Sequence, residues 1–293
     1  MRGGRRHASR APRPARDWRG RSKSSVNGHG PRPTRRLCKT LRACRTRTYG
    51  VPQGLARKLL TGVTTKNLLR GNRVIELRNV SKHYSRIGGD TQALLDIDLV
   101  VERGEFIAVT GPSACGKTTL LNIVGLIDTP SSGCYRFGGT DLTDCSEAEL
   151  TELRKHHIGF IFQGFCLVDD LTVFGNVELP LRYRRLTRRR RHVATREILE
   201  LTGLEHRSHA YPDELSPGEQ QRVAIARALV DDPAVLLADE PTANLDDENA
   251  AHVLEMLETL HVVGTTILMV THSSTSAARA ERVVQLHCGR VVT

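Results

Sequence analysis

Apolar and polar positions alternate along Val74-Ile75-Glu76-Leu77-Arg78-Asn79-Val80 and again from Leu94 to Val101, the period-two pattern of half-buried strands. Arg103-Gly104-Glu105 reads as a turn. It leads into Phe106-Ile107-Ala108-Val109-Thr110, a short β-rich run of the kind buried on both faces. A helix is predicted from Thr119 to Val124, and Thr129-Pro130-Ser131-Ser132-Gly133 is a turn. Ser146 to Lys155 is expected to be helical, with Ser146 as its cap and Glu149 three residues on. Ile158 to Phe162 is a second buried strand. From Thr172 to about Gly203 the spacing is helical, broken by an arginine-dense hinge at Arg182–Arg191, with Thr187 capping the segment that carries Val193, Ile198, Leu199 and Leu201. A helix over Gly218–Val230, a strand ending at Asp239, a helix over Ala250–Leu260, a strand over Thr265–Thr271 and a hairpin over Arg282–Val292 follow. Strands alternating with helices, plus a helical insertion, predict an α/β core with a helical subdomain. No internal repeat is visible.

Charge divides the chain in two. Its net charge is +11, but residues 1–73 carry +20 with Asp17 as their single acid, and residues 74–293 carry −9. The basic segment is rich in Arg, Pro, Gly, Ser and Thr and poor in apolar residues before Leu55, so disorder is its first expectation. An Arg-rich transit peptide, a segment that binds nucleic acid or anionic lipid, and the translation of GC-rich upstream DNA are the other readings. Gly54 to Leu60 has the pattern of a short amphipathic turn. No apolar run reaches 18 residues, so no membrane span is expected, and no apolar h-region follows the basic N-terminus. The seven cysteines form no C-x-x-C pair and no metal-finger spacing, which suits reduced thiols.

The chemistry begins at Gly111-Pro112-Ser113-Ala114-Cys115-Gly116-Lys117-Thr118, which fits G-x-x-x-x-G-K-[ST] between a strand and a helix. The glycines let backbone N–H groups curl toward a β-phosphate at a helix N-terminus. Lys117 would reach the β- and γ-phosphates, and the Thr118 hydroxyl would ligate Mg²⁺. Asp239, ending a buried strand, would hold the same ion, and Glu240 would face the attacking water as general base.

With Leu215-Ser216-Pro217-Gly218-Glu219-Gln220-Gln221-Arg222 between these elements, residues 74–293 resemble the ATP-binding-cassette (ABC) ATPases in seven ordered elements. The resemblance implies a P-loop NTPase (RecA-like) α/β core with an antiparallel β subdomain and a helical signature subdomain at about 164–230. It implies ATP and Mg²⁺ as cofactors, and nucleotide contacts from Gly111, Pro112, Ser113, Ala114, Cys115, Gly116, Lys117, Thr118 and Thr119. Tyr84 takes the adenine-stacking position. Gln163, in Phe160-Ile161-Phe162-Gln163, matches the Q-loop residue that senses Mg²⁺ and water. Ser216 and Gly218 match the signature that contacts the γ-phosphate of the nucleotide bound by the other subunit. Asp246, in Pro241-Thr242-Ala243-Asn244-Leu245-Asp246, closes the D-loop, and His272 is the switch histidine at the γ-phosphate. The signature departs from Leu-Ser-Gly-Gly-Gln at Pro217 and Glu219. Proline removes one donor but suits a helix's first turn, so the site is expected to function with some loss of sandwich stability. Cys115 stands at a helix N-terminus, and its alkylation is expected to inhibit hydrolysis, with ATP protecting.

Leu120 to Pro130, and Gly159–Gln163 with Leu171-Thr172-Val173 and Asn176 to Leu181, are similar to the MacB/LolD/FtsE type. That resemblance implies a homodimeric ATPase subunit driving separate integral-membrane permease chains for export or lipoprotein release, peripheral to the cytoplasmic face of a bacterial cell membrane. No specific nucleic-acid partner is expected. The alternatives are a soluble ABC ATPase of translation or DNA repair, for which the basic tail would serve, and a weakly hydrolysing regulatory cassette. The arginine hinge reads as a solvated face or as a contact with headgroups or permease.

Overall fold

The computed structural model describes residues 71–86 and 89–292. The basic segment up to residue 70 and the expected turn at Gly54–Leu60 lie outside the described residues. Among the described residues two sheets are formed. The first is antiparallel, with strands β1 (Arg73–Arg86), β2 (Gly89–Glu102), β4 (Ser132–Phe137) and β5 (Thr140–Asp141) in the order β2-β1-β4-β5. The second runs β10-β9-β3-β8-β7-β6, from β3 (Phe106–Thr110), β6 (Ile158–Ile161), β7 (Val235–Asp239), β8 (Thr266–Val270), β9 (Arg282–His287) and β10 (Arg290–Val292). Its pairs are parallel except for the terminal β9–β10 hairpin.

The parallel strands read as unbroken apolar runs because both of their faces are covered. Ile107 and Val109 of β3 point into the core shared with the antiparallel sheet, and Phe106 and Ala108 into the core shared with the helices beyond. The expected alternation fails in β1, where Val74, Ile75, Glu76 and Leu77 are all buried. Register shifts along its pairing with β2 break the two-residue period, and Glu76 is neutralised by Arg73 at 3.0 Å and by Arg78.

Seven α-helices connect the strands among the described residues: α1 (Lys117–Val124), α2 (Glu147–His157), α3 (Val173–Arg182), α4 (Arg188–Leu201), α5 (Pro217–Leu229), α6 (Asp247–Val262) and α7 (Ser274–Ala277). Most start where a short polar side chain can satisfy an orphan N–H. Ser146 and Glu149 form the capping box expected for α2, and Thr172 and Thr187 cap α3 and α4. Helices α3 to α5 surround a core of Val177, Leu181, Leu199 and Val223. Part of the arginine hinge is engaged internally, since Arg182 and Arg191 pair with the buried Glu178 at 3.0 and 3.3 Å. None of the described helices is long and apolar enough to cross a membrane.

Candidate functional site

Strands β3, β8 and β7 are neighbours, and three functional loops leave their carboxyl ends side by side: the phosphate loop after β3, His272 after β8 and Glu240 after β7. Such a crevice beyond the C-terminal strand ends is where open α/β sheets bind ligands.

In the phosphate loop, Gly116 caps α1 with φ of 105°, and its following N–H groups face outward from the helix start. The two glycines serve packing as well as phosphate. A Cβ on Gly111 would lie 2.1 Å from the Leu286 carbonyl of β9, and one on Gly116 would lie 2.4 Å from the Ala93 carbonyl of β2. Pro112, Ser113 and Ala114 are exposed between them, and Ala114 adopts φ of 60°. The Lys117 ammonium lies over this loop, donating to the Gly111 and Pro112 carbonyls at 2.9 and 2.8 Å. Thr118 is exposed and Thr119 half-buried on the first turn. Cys115 is buried, at 7% exposure, with its sulfur 3.9 Å from Lys117 Nζ. Alkylation with N-ethylmaleimide should therefore need the loop to open. Modification of Cys115, mapped by mass spectrometry because Cys166 and Cys288 are exposed, is expected to abolish turnover and to be slowed by ATP. Full turnover at stoichiometric Cys115 modification would contradict this.

Asp239 ends β7, where burial and the adjacent Glu240 push its carboxyl above the usual range, opposed by Lys117. Glu240 is held in a left-handed conformation, φ 46°, by its N–H bond to the Val270 carbonyl at 2.9 Å. A non-glycine residue in this region stores strain of the kind found at functional sites. The turn aims its carboxylate at His272, with Oε1 2.8 Å from Nδ1 and Oε2 accepting from the His272 N–H at 3.3 Å. Glu240 is 11% exposed and His272 68%, so the pair joins a sheltered carboxylate to an open imidazole.

The remaining candidates lie further out. Gln163 is exposed, and its carbonyl accepts from Asn244 Nδ2 at 2.8 Å. Arg227 of α5 donates to the carbonyls of Phe165 (2.8 Å) and Cys166, both in left-handed conformations, and so fixes the loop that follows Gln163. Ser216 caps α5 and Pro217 occupies its first turn, as expected of a residue without an N–H. Glu219 completes a capping box, accepting from the Ser216 N–H at 2.9 Å and hydroxyl at 3.0 Å. Gly218 packs against Asn249, whose Oδ1 would lie 2.0 Å from an added Cβ. Asp246 caps α6 and accepts from the Asn249 N–H at 2.8 Å. Gln221, buried, donates to the Pro241 carbonyl at 2.7 Å. Helix α5 is thus tied at two points to the Glu240–Asn249 stretch. Tyr84 lies on β1 and bonds through its hydroxyl to Asp128.

A phosphate loop at a strand–helix junction, with a carboxylate pair at the end of the next strand but one, defines an α/β protein of the P-loop class. Residues 94–243 match the ABC transporter family profile. The chain is 47% identical over 222 residues to the macrolide export ATP-binding/permease protein MacB 1/2 of Paracoccus denitrificans, covering 76% of this chain and 33% of that one. It is 43% identical over 219 residues to the ABC transporter ATP-binding protein MJ1508 of Methanocaldococcus jannaschii, covering 75% of this chain and 98% of that one. The dimeric cassette MJ0796 bound to ADP and Pi superposes with a TM-score of 0.70 at 38% identity, covering 75% of this chain and 97% of that one. The chain therefore belongs to the ABC transporter family. It spans about a third of the length of the MacB relatives it matches.

Proposed function

We propose that two copies of this chain close head to tail around two ATP molecules and drive a membrane permease of the MacB/LolD/FtsE type from the cytoplasmic face. The adjacency of the phosphate loop, the Glu240–His272 pair and Asp239 at three neighbouring strand ends carries this reading.

The phosphate loop and Lys117 hold the phosphates, with Lys117 exchanging the Gly111 and Pro112 carbonyls for phosphate oxygens. Thr118, Asp239 and the Gln163 side chain are hard oxygen donors and would hold Mg²⁺, an ion that takes few protein ligands and completes its shell with phosphate and water. An Asp239 carboxyl pushed toward neutrality by burial and a like charge suits a site completed by a cation. Bound there, Mg²⁺ would neutralise charge on the transferred phosphoryl group. Glu240 accepts the proton of the attacking water. His272, donating to it through Nδ1, would donate to a γ-phosphate oxygen through Nε2–H when the ring carries both protons. Ser216, exposed at the start of α5, and Gly218, buried behind it against Asn249, meet the nucleotide of the other copy, and Asp246 lies beside them through Asn249.

A separate permease is supported by the likeness to MJ1508 over 98% of that protein, itself named an ATP-binding protein. Co-expression with and without a candidate permease of the MacB/LolD/FtsE type tests this. The chain should pellet with membranes only when the permease is present. A chain that stays in the supernatant in both cases would overturn the reading.

A further inference from the structure

Tyr84 is held at both ends. Its backbone is fixed in β1, paired with Thr91 of β2, and its hydroxyl donates to Asp128 Oδ2 at 2.6 Å. Asp128 Oδ1 accepts from Lys82 Nζ at 2.6 Å and from the Thr129 N–H at 2.7 Å, and Lys82 Nζ also donates to the Thr129 carbonyl at 2.7 Å. The Lys82 ammonium lies 5.0 Å from the centroid of the Tyr84 ring. Burial pushes the Asp128 carboxyl up, but the bonds from Lys82, Tyr84 and Thr129 outweigh it and hold the group below its ordinary range.

These contacts restrain different rotations. The phenol oxygen lies on the Cβ–Cγ axis, so its bond to Asp128 fixes where the ring points and does not by itself set the rotation about that axis. A cation over the ring face restrains the spin, since attraction is strongest along the face normal. Asp128 is itself a fixed acceptor. The Ile127 and Asp128 N–H groups both donate to the Asn122 carbonyl of α1, at 2.9 and 3.2 Å, and Arg154 of α2 donates to the Leu126 carbonyl.

The strand that pairs with Tyr84 also passes the phosphate loop. Ala93, against which Gly116 packs, is two residues beyond Thr91, or roughly 7 Å along the strand. Helix α1 therefore carries the phosphate loop at its start and the Asp128 anchor just past its end.

We propose that Asp128 and Lys82 are positioning residues for base recognition, setting the angle at which the Tyr84 ring meets the base of the nucleotide whose phosphates α1 holds. This rests on Tyr84 being the base-stacking residue. Neither side chain touches the nucleotide; both act through the ring.

Isothermal titration of the purified full chain carrying Glu240→Gln, which binds ATP without turning it over, with ATP and separately with inorganic tripolyphosphate, each with Mg²⁺, tests the proposal. Asp128→Ala, Lys82→Met and Tyr84→Phe are each expected to weaken ATP binding by about 3- to 10-fold, the scale of one hydrogen bond or aromatic contact. Tripolyphosphate, which has no base, should bind as to the chain carrying Glu240→Gln alone. Tyr84→Phe keeps the ring and guards against a misfolded Asp128→Ala. If Tyr84→Ala leaves ATP affinity unchanged, the base-stacking reading fails and the inference with it. If Tyr84→Ala weakens ATP but Tyr84→Phe and Asp128→Ala do not, the positioning role alone is overturned. Equal losses for ATP and tripolyphosphate would overturn it too, marking a general disturbance of α1.

Discussion

Glu240→Gln is expected to lower steady-state ATP turnover by about 100- to 10,000-fold, the usual contribution of a positioned general base, while ATP binding survives. The change is isosteric. It keeps an amide oxygen to accept the His272 N–H, which now reaches Oε2 at 3.3 Å, and it leaves the φ of 46° at this position untouched. What it removes is a carboxylate able to take a proton from water. Because hydrolysis and not assembly is blocked, the ATP-loaded variant should accumulate as a dimer. Gel filtration with ATP should show a doubled mass that returns to monomer without nucleotide, and single-turnover assays should show little phosphate released. A variant that stays monomeric with ATP and hydrolyses at the wild-type rate would remove Glu240 from the role assigned to it.

The pair formed by Glu240 and His272 shows what sequence can and cannot give. Both residues are legible as motif positions after apolar runs, but the β3-β8-β7 order that makes them neighbours belongs to the folded sheet. The geometry that joins them depends on a left-handed turn at Glu240, and no local residue preference announces such a turn at a glutamate. Strand β4 escaped for a different reason. Ser132 and Gly133 at its start read as turn residues, and only four residues of alternation follow before Gly138. The capping box at Ser216 and Glu219 was within reach, since Ser-x-x-Glu before an apolar run is its signature. Seen as a departure from the family signature, Glu219 hid its local role. Arg227 and Asp128 were out of reach, because each acts through partners dozens of residues away. Only the packed chain brings those partners together.

Gly116→Ala is expected to damage binding and stability together. The residue lies at φ of 105°, where an L side chain is strained by about 1–2 kcal/mol. An added Cβ would also stand 2.4 Å from the Ala93 carbonyl and 2.9 Å from Leu94 Cδ2, so β2 or the phosphate loop must move. Overpacking of this kind costs about 1–3 kcal/mol more. The loop is the weaker party, since β2 is bonded along its length to β1. Displacing the loop turns its N–H groups away from the phosphates, and ATP affinity should fall by about 100-fold, equivalent to some 2.7 kcal/mol. The melting temperature should fall by about 2–4 °C for each kcal/mol lost. Gly203→Ala supplies the control. Gly203 has φ of 70° with nothing within 4 Å of an added Cβ, so it carries the backbone strain without the collision. It should lower the melting temperature slightly and leave ATP affinity alone. Wild-type ATP affinity in Gly116→Ala, or an equal loss in Gly203→Ala, would mean that the close approach of β2 does not hold the phosphate loop in shape.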